Sequence, residues 1–123
     1  MIKLTFCLHR PASLSREEFQ RYWLETHGPL VRKHADALRV RRYVQLHTGS
    51  EDVNAGLRQV RGGPEAYDGV AELWWDSIED LAAANATEAG REAGRILLED
   101  EKRFIDLARS PLFLGEEKPV VGG

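Results

Sequence analysis

The residues of this sequence best suited to chemistry are a histidine, a tyrosine and a glutamate on three different predicted elements. His27 stands near the end of a predicted helix, and an imidazole exchanges protons near neutral pH. Tyr43 and Glu72 stand on two predicted strands. A base of this kind can remove a proton alpha to a carbonyl while a phenol or an imidazolium stabilises the enolate. The predicted chemistry is enolisation, dehydration or aldol closure without a cofactor.

Each of these residues also has a purely structural interpretation. A protonated His27 would stabilise the C-terminus of its helix, and Tyr43 would fill the core or an interface. Glu72 would form a cross-strand ion pair with Arg41 or Arg42. In a dry cavity without such a partner, the pKa of Glu72 would instead be raised.

Polar side chains repeat on one phase of three predicted strands. They are Thr5, Cys7 and His9 within residues 2–9, Tyr43, Gln45 and His47 within residues 39–48, and Glu72 and Trp74 within residues 69–76. Because strand side chains alternate between two faces, we expect this phase to line a cavity between two sheets. The predicted catalytic residues are His27, Tyr43, His47 and Glu72, and the predicted substrate contacts are Thr5, Trp23, Gln45 and Trp74.

The predicted first helix has a well-defined start. Ser15 and Glu18 have the spacing of a capping box, and Leu14 and Phe19 that of a hydrophobic staple. An apolar stripe follows at helical spacing and passes through Trp23 to Leu30. Gly28 and Pro29 predict a break, with a second helical stretch over residues 30–38.

The remaining segments predict one long connection, two further helices and a last strand. Residues 48–68 are polar, and we interpret them as a surface loop with one helical turn near residues 53–60 that either closes over a pocket or is a plain excursion. A short helix begins at Ser77, and a longer one runs over residues 88–108. Gly90 and Gly94 in that helix indicate close packing against the sheet. Residues 112–121 are the last strand candidate.

The order of these elements, β-α-β-β-α-β, predicts an α+β fold. Right-handed crossovers then give a ferredoxin-like unit with a four-stranded antiparallel sheet and its helices on one face. The length of 123 residues fits a single domain over residues 1–123. The uncovered face still has Tyr43, Trp74 and several aliphatic side chains. A second copy packed sheet to sheet would bury that face, so we expect a homodimer.

Composition excludes several classes of protein. The net charge of −3 is weak and mixed, which argues against nucleic-acid and membrane partners. The single cysteine, Cys7, forms no internal disulfide, and no signal peptide or membrane-spanning run is evident, so we expect a cytoplasmic protein. The four histidines include no HxH or HxxxH pair, and we expect neither a metal nor a cofactor.

The sequence resembles the EthD family over nearly its whole length. The similarity lies in Phe19 with Tyr22-Trp23, in His27-Gly28-Pro29-Leu30, in residues 43–47 and 67–74, and in residues 99–106 and 113–117. The resemblance implies a dimeric α/β barrel around a small-molecule pocket, and it aligns the family histidine with His27. Relatives include polyketide cyclases, dehydratases, decarboxylases and cofactor-free monooxygenases, so the resemblance does not fix a reaction.

Three hypotheses for function follow. The first is a cofactor-independent enzyme of lyase, cyclase or isomerase type that acts on a small planar carbonyl compound, such as a polyketide or an aromatic catabolite. The second is a non-catalytic dimer that binds a small ligand or assists an oxygenase. The third is a cofactor-free monooxygenase, which oxygen consumption would separate from the first.

Overall fold

The computed structural model describes all residues, Met1–Gly123, as an antiparallel sheet covered on one side by helices. The elements in chain order are β1 (Ile2–Leu8), α1 (Arg16–Tyr22), a π-helical turn (Trp23–His27), α2 (Gly28–Leu38), β2 (Arg42–His47), α3 (Glu51–Arg61), β3 (Gly69–Trp75), α4 (Ile78–Asn85), α5 (Glu88–Phe104), a 3₁₀ turn (Leu107–Arg109) and β4 (Leu112–Gly115). No helix has both the length and the apolar character needed to cross a bilayer.

The four strands pair in the order β2-β3-β1-β4, and every pairing is antiparallel. This is the ferredoxin-like topology that the order of elements predicts, so the predicted fold class is confirmed. The prediction of the last strand was too long, because β4 ends at Gly115. The hydrophobic core lies between the sheet and the helices, where Leu8, Phe19, Trp23 and Phe104 are fully buried.

The first helix begins as predicted but does not break where predicted. Ser15 accepts a hydrogen bond from the Glu18 backbone N–H, and the Glu18 carboxylate accepts one from the Ser15 N–H. Gly28 and Pro29, however, lie in the first turn of α2, where the missing N–H of proline costs little. The helix continues into α2 through the wider π-helical turn, in which the Gly28 N–H bonds the Trp23 carbonyl.

The segment predicted as a long loop contains a full helix. Helix α3 runs from Glu51 to Arg61 and ends at Gly62, whose φ of 63° is the left-handed conformation typical of a helix C-terminus. Its apolar side chains, Val53, Leu57 and Val60, are exposed. Because this apolar stripe is short and lies among charged residues, the sequence indicated only one helical turn in this segment.

The strand faces agree with the prediction on β1 and β3 but not on β2. Glu72 stands opposite Thr5 of β1 and opposite Val44 of β2, and residues directly opposite each other share a face. Val44 therefore shares the uncovered face with Glu72. Tyr43, together with Gln45 and His47 on the same side of β2, faces the helices instead. The prediction that all the polar phases line one space between two sheets was wrong at β2, because the register sets the face of each strand.

The two glycines of α5 differ sharply in their surroundings, which makes them a matched pair. A methyl group at Gly90 would overlap the backbone carbonyl of Ala84, whereas one at Gly94 meets nothing within 4 Å. The predicted close approach is therefore correct only at Gly90, and its neighbour is α4 and not the sheet.

We expect Gly90→Ala to lower the free energy of unfolding by about 3 kcal/mol, because a backbone carbonyl cannot move aside cheaply. Gly94→Ala should raise it by about 0.5–1 kcal/mol through helix propensity. Urea denaturation of both variants checks this pair. Equal effects of the two substitutions would contradict the packing at Gly90.

Candidate functional site

A small, partly open cavity of about 50 Å³, here called the inner cavity, lies between the sheet and the helices. Three polar side chains line it, those of His27, Tyr43 and Glu101, and the rest of its lining is apolar. They come from the π-helical turn, from β2 and from α5. A few polar groups converging in an apolar pocket are typical of an active or binding site.

His27 is held by a buried carboxylate. Its Nδ1 lies 2.7 Å from Oδ2 of Asp100. Both side chains are buried, at 5% and 3% exposure, so water competes little for this bond. Oδ1 of Asp100 also accepts hydrogen bonds from the Tyr22 hydroxyl at 2.6 Å and from Arg103 at 3.0 Å. An ionised Asp100 requires a proton on Nδ1, which leaves Nε2 of His27 free to exchange a proton.

The protonation states of this pair follow from its surroundings. Burial lowers the pKa of His27, and the opposing hydrogen bond and charge of Asp100 do not restore it. Burial works to raise the pKa of Asp100, but hydrogen bonds from Tyr22, His27 and Arg103 outweigh it and hold that pKa below its usual range. At neutral pH, the pair is a neutral imidazole oriented by a carboxylate, which is a suitable arrangement for a general base.

Tyr43 is positioned by an amide that leaves its proton available. Nε2 of Gln45 donates to the Tyr43 hydroxyl oxygen at 2.8 Å and to the Trp23 carbonyl at 2.9 Å. His47 Nε2 donates in turn to Oε1 of Gln45 at 2.7 Å, and its ring stacks on Trp23 with centroids 4.6 Å apart. Burial raises the pKa of Tyr43 to about 12, so the phenol remains a hydrogen-bond donor.

Glu101 faces the inner cavity without a cationic partner or a side-chain hydrogen bond. Burial, with a smaller contribution from the charge of Asp100, raises the pKa of Glu101 to about 7. The carboxyl group is thus about half protonated at neutral pH, which is the condition in which a general acid works best. No three His, Cys, Asp or Glu side chains converge as a metal site would require.

A larger open groove of about 670 Å³, here called the outer groove, runs beside β2 and α2. Val31 and Tyr43 line both the outer groove and the inner cavity. Gln45 and His47 line the groove only. Tyr43 therefore stands between a space large enough for a ligand and the small space that His27 and Glu101 line.

The structure brings together only some of the predicted site residues. His27, Tyr43, His47, Trp23 and Gln45 all lie on the helix-covered side of the sheet, at or beside the inner cavity.

The predicted residues Glu72, Thr5 and Trp74 lie on the uncovered face, away from His27. Glu72 pairs with Lys3 there, and not with the arginines that the sequence suggested. Trp74 lies beneath Arg42 and donates its indole N–H to Glu117. The prediction that Glu72 converges on His27 was therefore wrong, because the sheet separates the two.

Two residues that the sequence did not single out for chemistry are Asp100 and Glu101. The apolar stripe of α5 includes Ala93, Leu97 and Phe104, and helical spacing places residues 100 and 101 on the same buried side. Charged residues at core positions of an amphipathic helix are the signal that could have identified them.

Comparisons with known proteins agree with this description of the fold. A protein of the ethyl tert-butyl ether D family from Bacillus halodurans has a similar structure, with a TM-score of 0.64 at 24% identity over 96% of this chain and 99% of that one. An EthD-like protein from Ralstonia eutropha gives a TM-score of 0.56 at 18% identity over 94% and 90% of the two chains. A dimeric ferredoxin-like protein of unknown function from Thermobifida fusca gives 0.55 at 13% identity over 93% and 88%.

No curated protein matches the sequence. The EthD domain model matches residues 11–108, which is most of the chain and includes every residue that lines the inner cavity except those of β1. The chain therefore belongs to the EthD family.

Proposed function

We propose that this protein is a cofactor-independent enzyme of lyase, cyclase or isomerase type that acts by proton transfer on a small planar carbonyl compound. The observation that supports it best is the convergence of the Asp100-oriented His27, Tyr43 and Glu101 on one apolar cavity. Glu101, an unpaired carboxyl group with a raised pKa, lines the same cavity as His27, and such a group serves no purpose if His27 is only structural.

In the proposed mechanism, Nε2 of His27 removes a proton from the carbon alpha to the substrate carbonyl. The electron pair of the broken C–H bond forms the carbon–carbon double bond of the enolate, and the π pair of the carbonyl moves to its oxygen, where the Tyr43 hydroxyl stabilises the developing charge. In a dehydration, protonated Glu101 gives its proton to a hydroxyl on the beta carbon, which leaves as water while the enolate electrons form the new carbon–carbon double bond. In an isomerisation it protonates a different carbon of the conjugated enolate, and in an aldol ring closure it protonates the oxygen of the second carbonyl as the new carbon–carbon bond forms. Transfer of the His27 proton to Glu101 through solvent restores the starting state. Atoms and electrons balance without an oxidant or a metal.

The two spaces divide the substrate between them. A cavity of about 50 Å³ admits only the reacting end of a molecule, whereas the outer groove of about 670 Å³ has the size of an ordinary ligand site. We place the planar body of the substrate in the groove and its carbonyl at Tyr43. A planar ring suits the apolar groove wall formed by Leu24, Pro29, Val31 and Val40.

We also propose that two copies pair through the uncovered sheet face as a dimeric α/β barrel. Leu46 and Phe113 point out of that face with 57% and 58% of their surface exposed, and Val44 and Val70 lie beside them. Large exposed apolar side chains on one face are typical of an association surface. The similar protein from Thermobifida fusca is described as dimeric.

The test of the proposed reaction is deuterium incorporation. The protein is incubated in D₂O with a panel of aryl methyl ketones, enones and poly-β-ketones, and exchange at the carbon alpha to the carbonyl is followed by NMR. Protein-dependent exchange or turnover without oxygen uptake supports the proposal. Oxygen uptake would indicate the monooxygenase instead. Tight binding with no exchange would indicate the non-catalytic ligand-binding protein.

We expect Tyr43→Phe to lower the rate on any substrate found in that panel by about 10²-fold, because it removes the donor to the enolate oxygen. Stability should change little, since the ring that fills the core remains. Tyr67→Phe is the matched control, because the Tyr67 ring packs at a tilt against His9 and does not line the inner cavity. Steady-state kinetics of the two variants check this, and equal rates in both would remove Tyr43 from the mechanism.

A further inference from the structure

The outer groove has a charge opposite to that of the chain as a whole. Its lining includes three arginines, Arg32, Arg41 and Arg42, together with His47, and it includes no carboxylate. The chain has 20 acidic and 17 basic residues with a net charge of −3, so a wall without an acid is unlike the rest of the surface. A locally positive groove on an acidic protein concentrates and orients anions.

Two of these arginines are available to a ligand. Arg32 of α2 forms no ion pair or hydrogen bond with another side chain. Arg41 lies 3.6 Å from Asp76, and both side chains are more than half exposed, so that ion pair is weak. Arg42 differs, because its guanidinium lies over the Trp74 ring at 4.7 Å. Arg32 of α2 is therefore the unpaired cation of the outer groove, and Arg41, just before β2, is the one whose exposed ion pair with Asp76 a ligand carboxylate can replace.

We propose that the substrate carries a carboxylate and that Arg32 and Arg41 bind it in the outer groove. This inference rests on the proposed function and specifies its substrate as a planar keto acid. A guanidinium binds a carboxylate through two parallel hydrogen bonds, which fixes orientation as well as affinity. With the carboxylate at the arginines, the opposite end of the molecule points along the groove to Tyr43, where the carbonyl must lie for His27 to act.

The charge distribution also disfavours the reversed orientation, in which the substrate carboxylate would lie in the inner cavity. The inner cavity contains Glu101, with Asp100 behind His27, and it contains no cation. A carboxylate placed there would lose its hydration without gaining a partner. The cations of the outer groove and the carboxyl group of the inner cavity therefore favour one orientation of a keto acid, with its carboxylate in the groove and its carbonyl at Tyr43.

A pair of isosteric probes tests this inference without turnover. The affinities of 4-acetylbenzoate and of its neutral amide, 4-acetylbenzamide, are measured by NMR titration of the full chain. We expect the carboxylate to bind at least about tenfold more tightly, as charge-assisted hydrogen bonds imply. In the Arg32→Gln/Arg41→Gln double variant the preference should fall below about twofold. The variant Arg91→Gln/Arg95→Gln is the control, because it removes the same two charges from α5 and neither residue lines the groove.

Equal affinities of the two probes for the wild-type protein would overturn the inference, as would an undiminished preference in the double variant. If the double variant does not fold, a wild-type preference that does not shrink between low and high salt would overturn it equally. Failure here is separable from failure of the proposed function. If the protein prefers the carboxylate probe but catalyses no deuterium exchange, only the proposed reaction is refuted. If it catalyses exchange but shows no such preference, only the assignment of a keto acid as substrate is refuted.

Discussion

Replacing Asp100 by asparagine should lower the rate of deuterium exchange on the order of 10²- to 10⁴-fold, about as much as replacing His27 by glutamine. Asp100 fixes the proton on Nδ1 of His27, and an amide at this position can bind the other tautomer, which has no lone pair at Nε2. The two effects should not add, because both substitutions remove the same base. Rates of deuterium exchange in the single and double variants measure this.

Glu99→Gln is the control for that experiment. Glu99 lies next to Asp100 on α5, but its side chain is exposed and bonds only Lys102. The same loss of one negative charge at Glu99 should leave the rate unchanged. Full activity of Asp100→Asn, with a protein that still folds, would show that the carboxylate only packs the helix and does not orient a base.

Glu101→Gln should have the second large effect, a rate loss on the order of 10²–10³. The amide keeps the shape of the side chain but cannot give up a proton. The wild-type rate should fall as the pH rises through about 7, the raised pKa of Glu101, because the protonated form is the acid. This limb of the pH–rate profile should be absent from the residual activity of the variant.

The same substitution predicts a pH-dependent change in stability. The pKa of Glu101 rises from 4.5 to about 7 on folding, so the native state favours the protonated carboxyl group. The contribution of Glu101 to the free energy of unfolding is therefore fully present below pH 4.5, where the group is protonated in both states. It is lost as the pH rises through 7, because the folded protein must then ionise the group in an unfavourable environment. Glu101→Gln removes the cost of ionising a half-buried acid.

The gain in unfolding free energy from Glu101→Gln should therefore be larger at pH 8 than at pH 4.5 by roughly 2–3 kcal/mol. Urea denaturation of both proteins at the two pH values measures the difference, and the titration of His27 cancels because both proteins contain it. A gain that is the same at both pH values would mean that Glu101 ionises normally in the native protein.

The fold was predictable because its signals are local. Alternation in β1 and β3, the capping box at Ser15 and the order of elements all pointed to the ferredoxin-like unit that the structure contains. Only one turn of helix α3 was predicted, near residues 53–60, because its residues are mostly charged or small and its few large apolar side chains remain exposed.

The site was predictable only in part because it depends on how elements meet. His27 and Tyr43 could be identified from residue type, position and family motif, but the face of β2 is set by its pairing with β3, which periodicity alone does not reveal. That register also places Glu72, predicted as a catalytic residue, on the opposite face of the sheet from Tyr43. The π-helical turn, which directs the Trp23 carbonyl to Gln45, also lacks a pattern in the sequence.

The protonation state of His27 at neutral pH tests the central claim most directly, because it requires no substrate. Long-range proton–nitrogen NMR correlations of the four histidine rings distinguish the imidazolium and both neutral tautomers, and the spectrum of His27→Gln identifies the signals of His27. We predict a neutral ring at pH 7 with its proton on Nδ1, bonded to Asp100, and a bare Nε2. An imidazolium at pH 7, or a proton on Nε2, would show that His27 is not the base described here.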